Sequence, residues 1–156
     1  MKDLLVVFGE GGHAEQMKRL LKNLEVTPNR CISIVDKEGI SLGLVSEENV
    51  MKPLRKKYGK SYISILSSSI FLLIKSIKIF VRYDIQTVIS TGPGLCIIPA
   101  LLFRIMGKQI IHIETWSRFE SRSPTGYLMY YLAQNFYVQN KSLLMLYKSA
   151  KYSGRL

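Results

Sequence analysis

The run Gly9-Glu10-Gly11-Gly12-His13-Ala14 follows an apolar segment, Leu4 to Phe8, and leads into an apolar-periodic stretch through Met17, Leu20, Leu21 and Leu24. A glycine-rich turn that feeds a helix leaves backbone N–H groups unpaired at the positive helix end, where phosphate oxygens are stabilised. Gly11 and Gly12 are the candidates for that cradle. His13, in the first helical turn, adds an imidazole able to orient or neutralise a diphosphate or to act as a base. The same run satisfies the dinucleotide pattern G-x-G-x-x-G/A, with Asp36 about where a ribose-binding acid would lie.

A second loop, Ser90-Thr91-Gly92-Pro93-Gly94, repeats the arrangement after another β-rich segment. Thr91, Gly92 and Gly94 therefore join the candidate phosphate ligands, provided that the two strands are neighbours. A third cluster runs His112-Ile113-Glu114-Thr115-Trp116-Ser117-Arg118 and continues to Ser123-Pro124-Thr125-Gly126. Glu114 there can accept sugar hydroxyls, support the loop or serve as the base in place of His13. Arg118 can grip a diphosphate bidentately; alternatively, Glu114 and Arg118 form a mutual ion pair that holds the loop. His112 lies inside the apolar strand and reads as a core histidine. Ser123 or Thr125 caps the next helix, with Pro124 in its first turn.

These loops need strands to carry them. Leu4 to Phe8, Cys31 to Val35, Thr87 to Ser90, Gln109 to Ile113 and Phe136 to Val138 are strand candidates. Helical stretches fall near 13–24, 63–82, 94–106, 125–133 and 142–148. Alternation of continuous apolar strands with helices predicts an α/β fold over 1–156, a Rossmann-like parallel sheet with helices on both faces. Ligands of such sheets bind outside the C-terminal strand ends. Pro99 should kink the helix over 94–106, or else that helix starts later.

The stretch 63–82 is unusual. Ile63, Leu66, Ile70, Ile74, Ile77 and Val81 share one helical stripe, Lys75, Lys78 and Arg82 share another sector, and Leu72 and Ile79 widen the apolar surface. Upstream, Lys52, Arg55, Lys56, Lys57 and Lys60 add a polybasic segment. Either the stripe faces the core, or the helix lies against an anionic bilayer, where apolar insertion and cation attraction act together.

The formal charge of +11 is uneven: residues 1–50 carry six Lys/Arg against eight Asp/Glu, and 51–156 carry sixteen against three. That field attracts a polyanion, an anionic membrane or an acidic partner. Nucleic acid is disfavoured, because no helix-turn-helix, zinc-finger, RNP-like or GXXG segment occurs. Cys31 and Cys96 sit in apolar runs and read as buried thiols, the acidic residues of 51–156 are too sparse for a metal site, and no G-x-S-x-G elbow supports hydrolysis. With no signal peptide visible, the domain is expected inside the cell.

Together, GEGGHAEQM at 9–17, STGPGLCIIPAL at 90–101, HIETWSRFESRSPTGYLMYYLAQNFYVQNKSL at 112–143 and the closing YSGRL resemble the Alg14 family, which includes bacterial capsular and exopolysaccharide glycosyltransferase subunits. The resemblance implies one half of a split GT-B glycosyltransferase, the acceptor-side lobe. Such a half sits peripherally or monotopically on the cytoplasmic face of the cell membrane, is inactive or weakly active alone, and recruits an Alg13-like donor-binding subunit. The pair would carry a sugar from a UDP-sugar, bound at the shared interface, to a polyprenyl-diphosphate-linked acceptor without a resident cofactor or metal. By that resemblance Gly11, Gly12 and His13 match the family's first loop. Thr91, Gly92, Pro93 and Gly94 match its second, Glu114, Arg118, Thr125 and Gly126 its third block, and Tyr152, Gly154 and Leu156 its partner-docking end. The chain departs from the pattern at Gln134, where an Asp is common, and at Asn140, where a Trp is. Two other readings are a free-standing dinucleotide-binding oxidoreductase domain and a basic nucleic-acid-binding module.

Overall fold

The computed structural model describes residues 2–25, 27–36, 45–51 and 62–156, with only the backbone of 62–64. The polybasic segment at 52–60 lies outside the described residues. Seven strands form one parallel sheet: β1 (Asp3–Phe8), β2 (Cys31–Val35), β3 (Glu47–Val50), β4 (Ile85–Ser90), β5 (Gln109–Ile113), β6 (Asn135–Val138) and β7 (Lys151–Tyr152). Their order is β3-β2-β1-β4-β5-β6-β7. The order reverses between β1 and β4, and the loops leaving these neighbours are the two glycine loops. Val7 pairs with Ser90 and Ser90 with His112, so the three strand ends that carry candidate residues lie level. The predicted Rossmann-like sheet is the observed one.

Its two faces are covered unequally. Helices α2 (Tyr62–Arg82), α3 (Ile97–Ile105) and α4 (Pro124–Leu132) pack on the side of Leu5, Val7, Ile32, Ile34, Ile110 and Val138. Helix α1 (Gly12–Lys22) covers the opposite side through Met17 and Leu21, against Leu4, Val6, Phe8 and Val35. Every residue of β1 is buried, which suits a central strand with layers on both faces and explains its unbroken apolar run. On the α1 side Ile111 and Tyr137 are only half-buried.

Two strands escaped the sequence reading. β3 is Glu-Glu-Asn-Val and β7 is Lys-Tyr, both at sheet edges, where one flank needs no apolar cover and charged residues are tolerated. The expected helix at 142–148 is instead a 3₁₀ segment, Lys141–Met145. Gly94–Cys96 is also a 3₁₀ turn, and α3 begins at Ile97. Pro99 thus falls in the first turn of α3, where its missing N–H would have had no intrahelical partner.

In α2 the core-facing row is Leu72, Ser76 and Ile79, all buried, with the Ser76 hydroxyl returned to the Leu72 carbonyl at 2.8 Å. The stripe Leu66, Ile70, Ile74, Ile77 and Val81 points away from the sheet and is 43–79% exposed. Of the two readings of that stripe, the core-facing one is therefore wrong: three positions suffice to seat α2 on the sheet, and the broader apolar surface is left outward. No helix among the described residues is long and apolar enough to cross a membrane.

Candidate functional site

The loops after β1, β4 and β5 meet at the C-terminal edge of the sheet. Gly11 adopts φ 68° as the N-cap of α1, a conformation that side-chain-bearing residues seldom take. The first bond of the helical ladder runs from the Glu15 N–H to the Gly11 carbonyl at 3.1 Å, so the amides of Gly12, His13 and Ala14 precede it. The Glu10 N–H donates to Asp36 at 3.0 Å. Asp36 therefore braces the loop, and burial raises its pKa.

His13 is locked to the second loop. Its Nδ1 lies 2.5 Å from the Thr91 carbonyl, and the Thr91 hydroxyl donates to the His13 carbonyl at 3.0 Å. A carbonyl only accepts, so Nδ1 carries the proton and the neutral ring keeps Nε2 as its lone-pair nitrogen. Gly92 makes this possible: it has φ 90°, and a Cβ there would stand 2.9 Å from the imidazole.

Glu114 is the hub of the third loop. It is 2% exposed. Its carboxylate accepts from the Ser123 hydroxyl at 3.0 and 3.1 Å, the Thr115 N–H at 3.0 Å and the Tyr147 hydroxyl at 2.9 Å. Burial, and then the Glu114 charge, push the Tyr147 phenol upward, so it remains a donor. Ser123 also caps α4, accepting from the Gly126 N–H at 2.8 Å with Pro124 next in line. The positive end of α4 is thereby aimed at the loops. Arg118 donates to Ser121 at 3.2 Å, and no ion pair joins it to Glu114 among the described residues, so its charge is not spent on the carboxylate.

A cavity of about 220 Å³ opens here, lined by His13, Thr91, Gly92, Arg118, Ser123 and Thr125, with Glu114 and His112 beneath. Gly94 and Gly12 stand outside the lining; a Cβ added at either would meet only Thr125 Oγ1 or the Trp116 indole nitrogen, each at 3.7 Å. One imidazole nitrogen, one guanidinium and a helix N-terminus surround the space, an arrangement fit to hold an anion beside a hydroxyl.

His112 is 1% exposed, with Nδ1 2.7 Å from the Ser90 hydroxyl. Burial, and secondarily the neighbouring His13, depress its pKa from 6.5 to about 3. Its neutral form belongs to the folded state. The stability it contributes is complete above pH 6.5 and drains away as pH falls from there toward about 3. His112→Gln should flatten that acid limb. Urea midpoints between pH 7 and 4 would test this, a limb as steep as the parent's being the contrary result. Burial likewise raises the Cys31 and Cys96 thiols to about 11 and 12, which makes both poor nucleophiles.

Residues 4–156 match the family model described as "Oligosaccharide biosynthesis protein Alg14 like". The chain belongs to the Alg14 family. Across 98% of its length it is 30% identical to the UDP-N-acetylglucosamine transferase subunit alg14 of Schizosaccharomyces pombe, 26% to the Candida albicans subunit and 25% to the human one. It covers 82%, 77% and 82% of those proteins. In fold it is similar to Acinetobacter baumannii MurG, with TM-score 0.59, 13% identity and 87% of this chain covered. For a putative UDP-N-acetylglucosamine 2-epimerase of Listeria monocytogenes the values are 0.70, 11% and 94%. The chain spans only 40% and 42% of those two structures.

Several residues that hold the sheet and its candidate site together gave no periodic signal in the sequence. Gln139, 1% exposed, donates to Gln16 at 2.6 Å and to the Glu114 carbonyl at 3.0 Å, and accepts the Leu156 N–H at 3.0 Å. Asn140, one of the departures from the family pattern, donates to the Trp116 carbonyl at 2.9 Å and to that of Arg118 at 2.5 Å. Gln134, the other, clamps the start of β5, accepting the Ile110 N–H at 2.7 Å and donating to the Lys108 carbonyl at 3.1 Å. Long-range amide contacts of this kind have no periodicity to betray them; the only available hint was three polar residues flanking an apolar strand.

Proposed function

We propose that this chain is the acceptor-side half of a two-chain inverting glycosyltransferase, moving a sugar from a UDP-sugar to a polyprenyl-diphosphate-linked saccharide. The observation that carries the reading is the lock of His13 onto Thr91, which leaves Nε2 as a proton acceptor beside Arg118 and the α4 N-terminus. In the assembled cleft an acceptor hydroxyl attacks the anomeric carbon and gives its proton to His13 Nε2. The bond from that carbon to the UDP oxygen breaks, and its electron pair leaves on the diphosphate. Glu114, with its oxygens already occupied by three donors, fits the role of loop anchor better than that of base.

Two further parts of the reading have support of their own. The outward apolar stripe of α2, with Lys75, Lys78 and Arg82 beside it, suits peripheral attachment to an anionic membrane. The donor-binding subunit is assigned to the closing segment, where Arg19 donates to the Leu156 carbonyl at 3.1 Å and stacks on Trp116 at 5.2 Å, linking that segment to α1 and to the loop after β5. The names of the relatives make UDP-N-acetylglucosamine the first donor to try. The test is co-expression with an Alg13-like polypeptide encoded nearby, purification of the pair, and transfer assays with a panel of UDP-sugars. Transfer that needs both chains is expected; failure to associate, or full transfer by this chain alone, would refute the reading.

A further inference from the structure

Helices α2 and α3 lie side by side with a groove of about 300 Å³ between them. Ile70 and Leu73 form one wall, and Ile98, Leu101, Leu102 and Ile105 the other. Its single polar residue, Ser69, donates its hydroxyl back to the Ile65 carbonyl at 2.8 Å, so its proton is spent within α2 and the remaining lining is aliphatic. Ile70, Leu73, Leu101 and Ile105 are 40–73% exposed, an apolar concavity too extended to be incidental.

The groove is tied to the anion site by one element. α3 grows directly out of the second glycine loop, and Ile98 follows Gly94 by four residues, about 6 Å along a helix axis. From there the aliphatic wall follows α3 to its last residue, Ile105. A ligand with its anionic head among Gly92, Arg118 and the α4 N-terminus would thus have its hydrocarbon delivered to the mouth of an aliphatic groove. Cationic head site and uncharged channel match such a molecule end for end.

We propose that the α2–α3 groove binds the first units of the prenyl chain of the acceptor lipid, so that the domain reads its substrate's tail as well as its diphosphate. This rests on the acceptor-side reading above, and it distinguishes a substrate channel from general contact with bilayer chains. Leu73→Trp fills the groove from an exposed position. Ile77→Trp places the same bulk on the same outward face but outside the groove, and serves as its control.

The probes are geranylgeranyl diphosphate and inorganic pyrophosphate, titrated calorimetrically into the full chain without detergent. The parent should bind the prenyl compound at least about tenfold more tightly, the worth of a few buried methylenes. Leu73→Trp should erase most of that margin and leave pyrophosphate binding unchanged, whereas Ile77→Trp should keep both. Leu101→Gln on the opposite wall should reproduce the loss if the tryptophan variant does not fold. Equal affinity of the parent for the two probes, equal weakening by both tryptophan variants, or binding of neither probe would overturn the proposal. Because binding is read on this chain alone, a reconstituted pair that failed to transfer sugar would refute the glycosyltransferase reading and leave this result standing.

Discussion

His13→Asn should lower turnover of the reconstituted pair by about 10²–10⁴-fold, the range a positioned general base contributes, with little change in acceptor KM. Asparagine can keep a side-chain N–H toward the Thr91 carbonyl that now holds Nδ1 at 2.5 Å, so the two loops stay joined, but it has nothing to replace Nε2. The measurement is kcat and KM for the acceptor under saturating donor. A raised KM with unchanged turnover would make His13 a phosphate-positioning residue instead.

Gly126→Ala should cost about 3–5 kcal/mol of stability, as expected when a buried charge loses its partners, and abolish transfer. A Cβ at this position would stand 1.7 Å from Glu114 Oε2 and 2.7 Å from the carboxylate carbon. Neither group can yield cheaply. The carboxylate is held by Ser123, Thr115 and Tyr147, and Gly126 lies in the first turn of α4, its N–H bonded to the Ser123 cap. Denaturant midpoints check the prediction, with Gly94→Ala as the comparison. There the added methyl meets Thr125 at an ordinary 3.7 Å, and a change under about 1 kcal/mol is expected. A Gly126→Ala variant as stable as the Gly94 one would show that Glu114 is not the anchor described.

The parts of the molecule legible in sequence are those governed by local repetition. β1 and β2 announced themselves as largely apolar runs because layers cover them on both sides, β5 did so through Ile110, Ile111 and Ile113, and the glycine loops were visible because Gly11 and Gly92 need positive φ. The expected convergence of His13, Thr91, Gly92 and Arg118 followed from strand adjacency alone. What escaped was set by tertiary context. Which face of α2 is buried depends on three positions among many apolar ones, so periodicity could not choose between Leu72-Ser76-Ile79 and the isoleucine stripe. The environment of Glu114 depends on Tyr147, 33 residues away, and on Gln139, whose partner Gln16 is 123 residues away. No spacing rule connects such pairs.

The strand order has a consequence for how the domain is made. Of the seven strands β1 is synthesised before the others, yet one of its flanks pairs with β4, which ends only at Ser90. Until then that flank has no native neighbour, while α2, with its outward isoleucines, is already synthesised. Vectorial synthesis thus presents the greasy helix before the sheet can close around its own first strand.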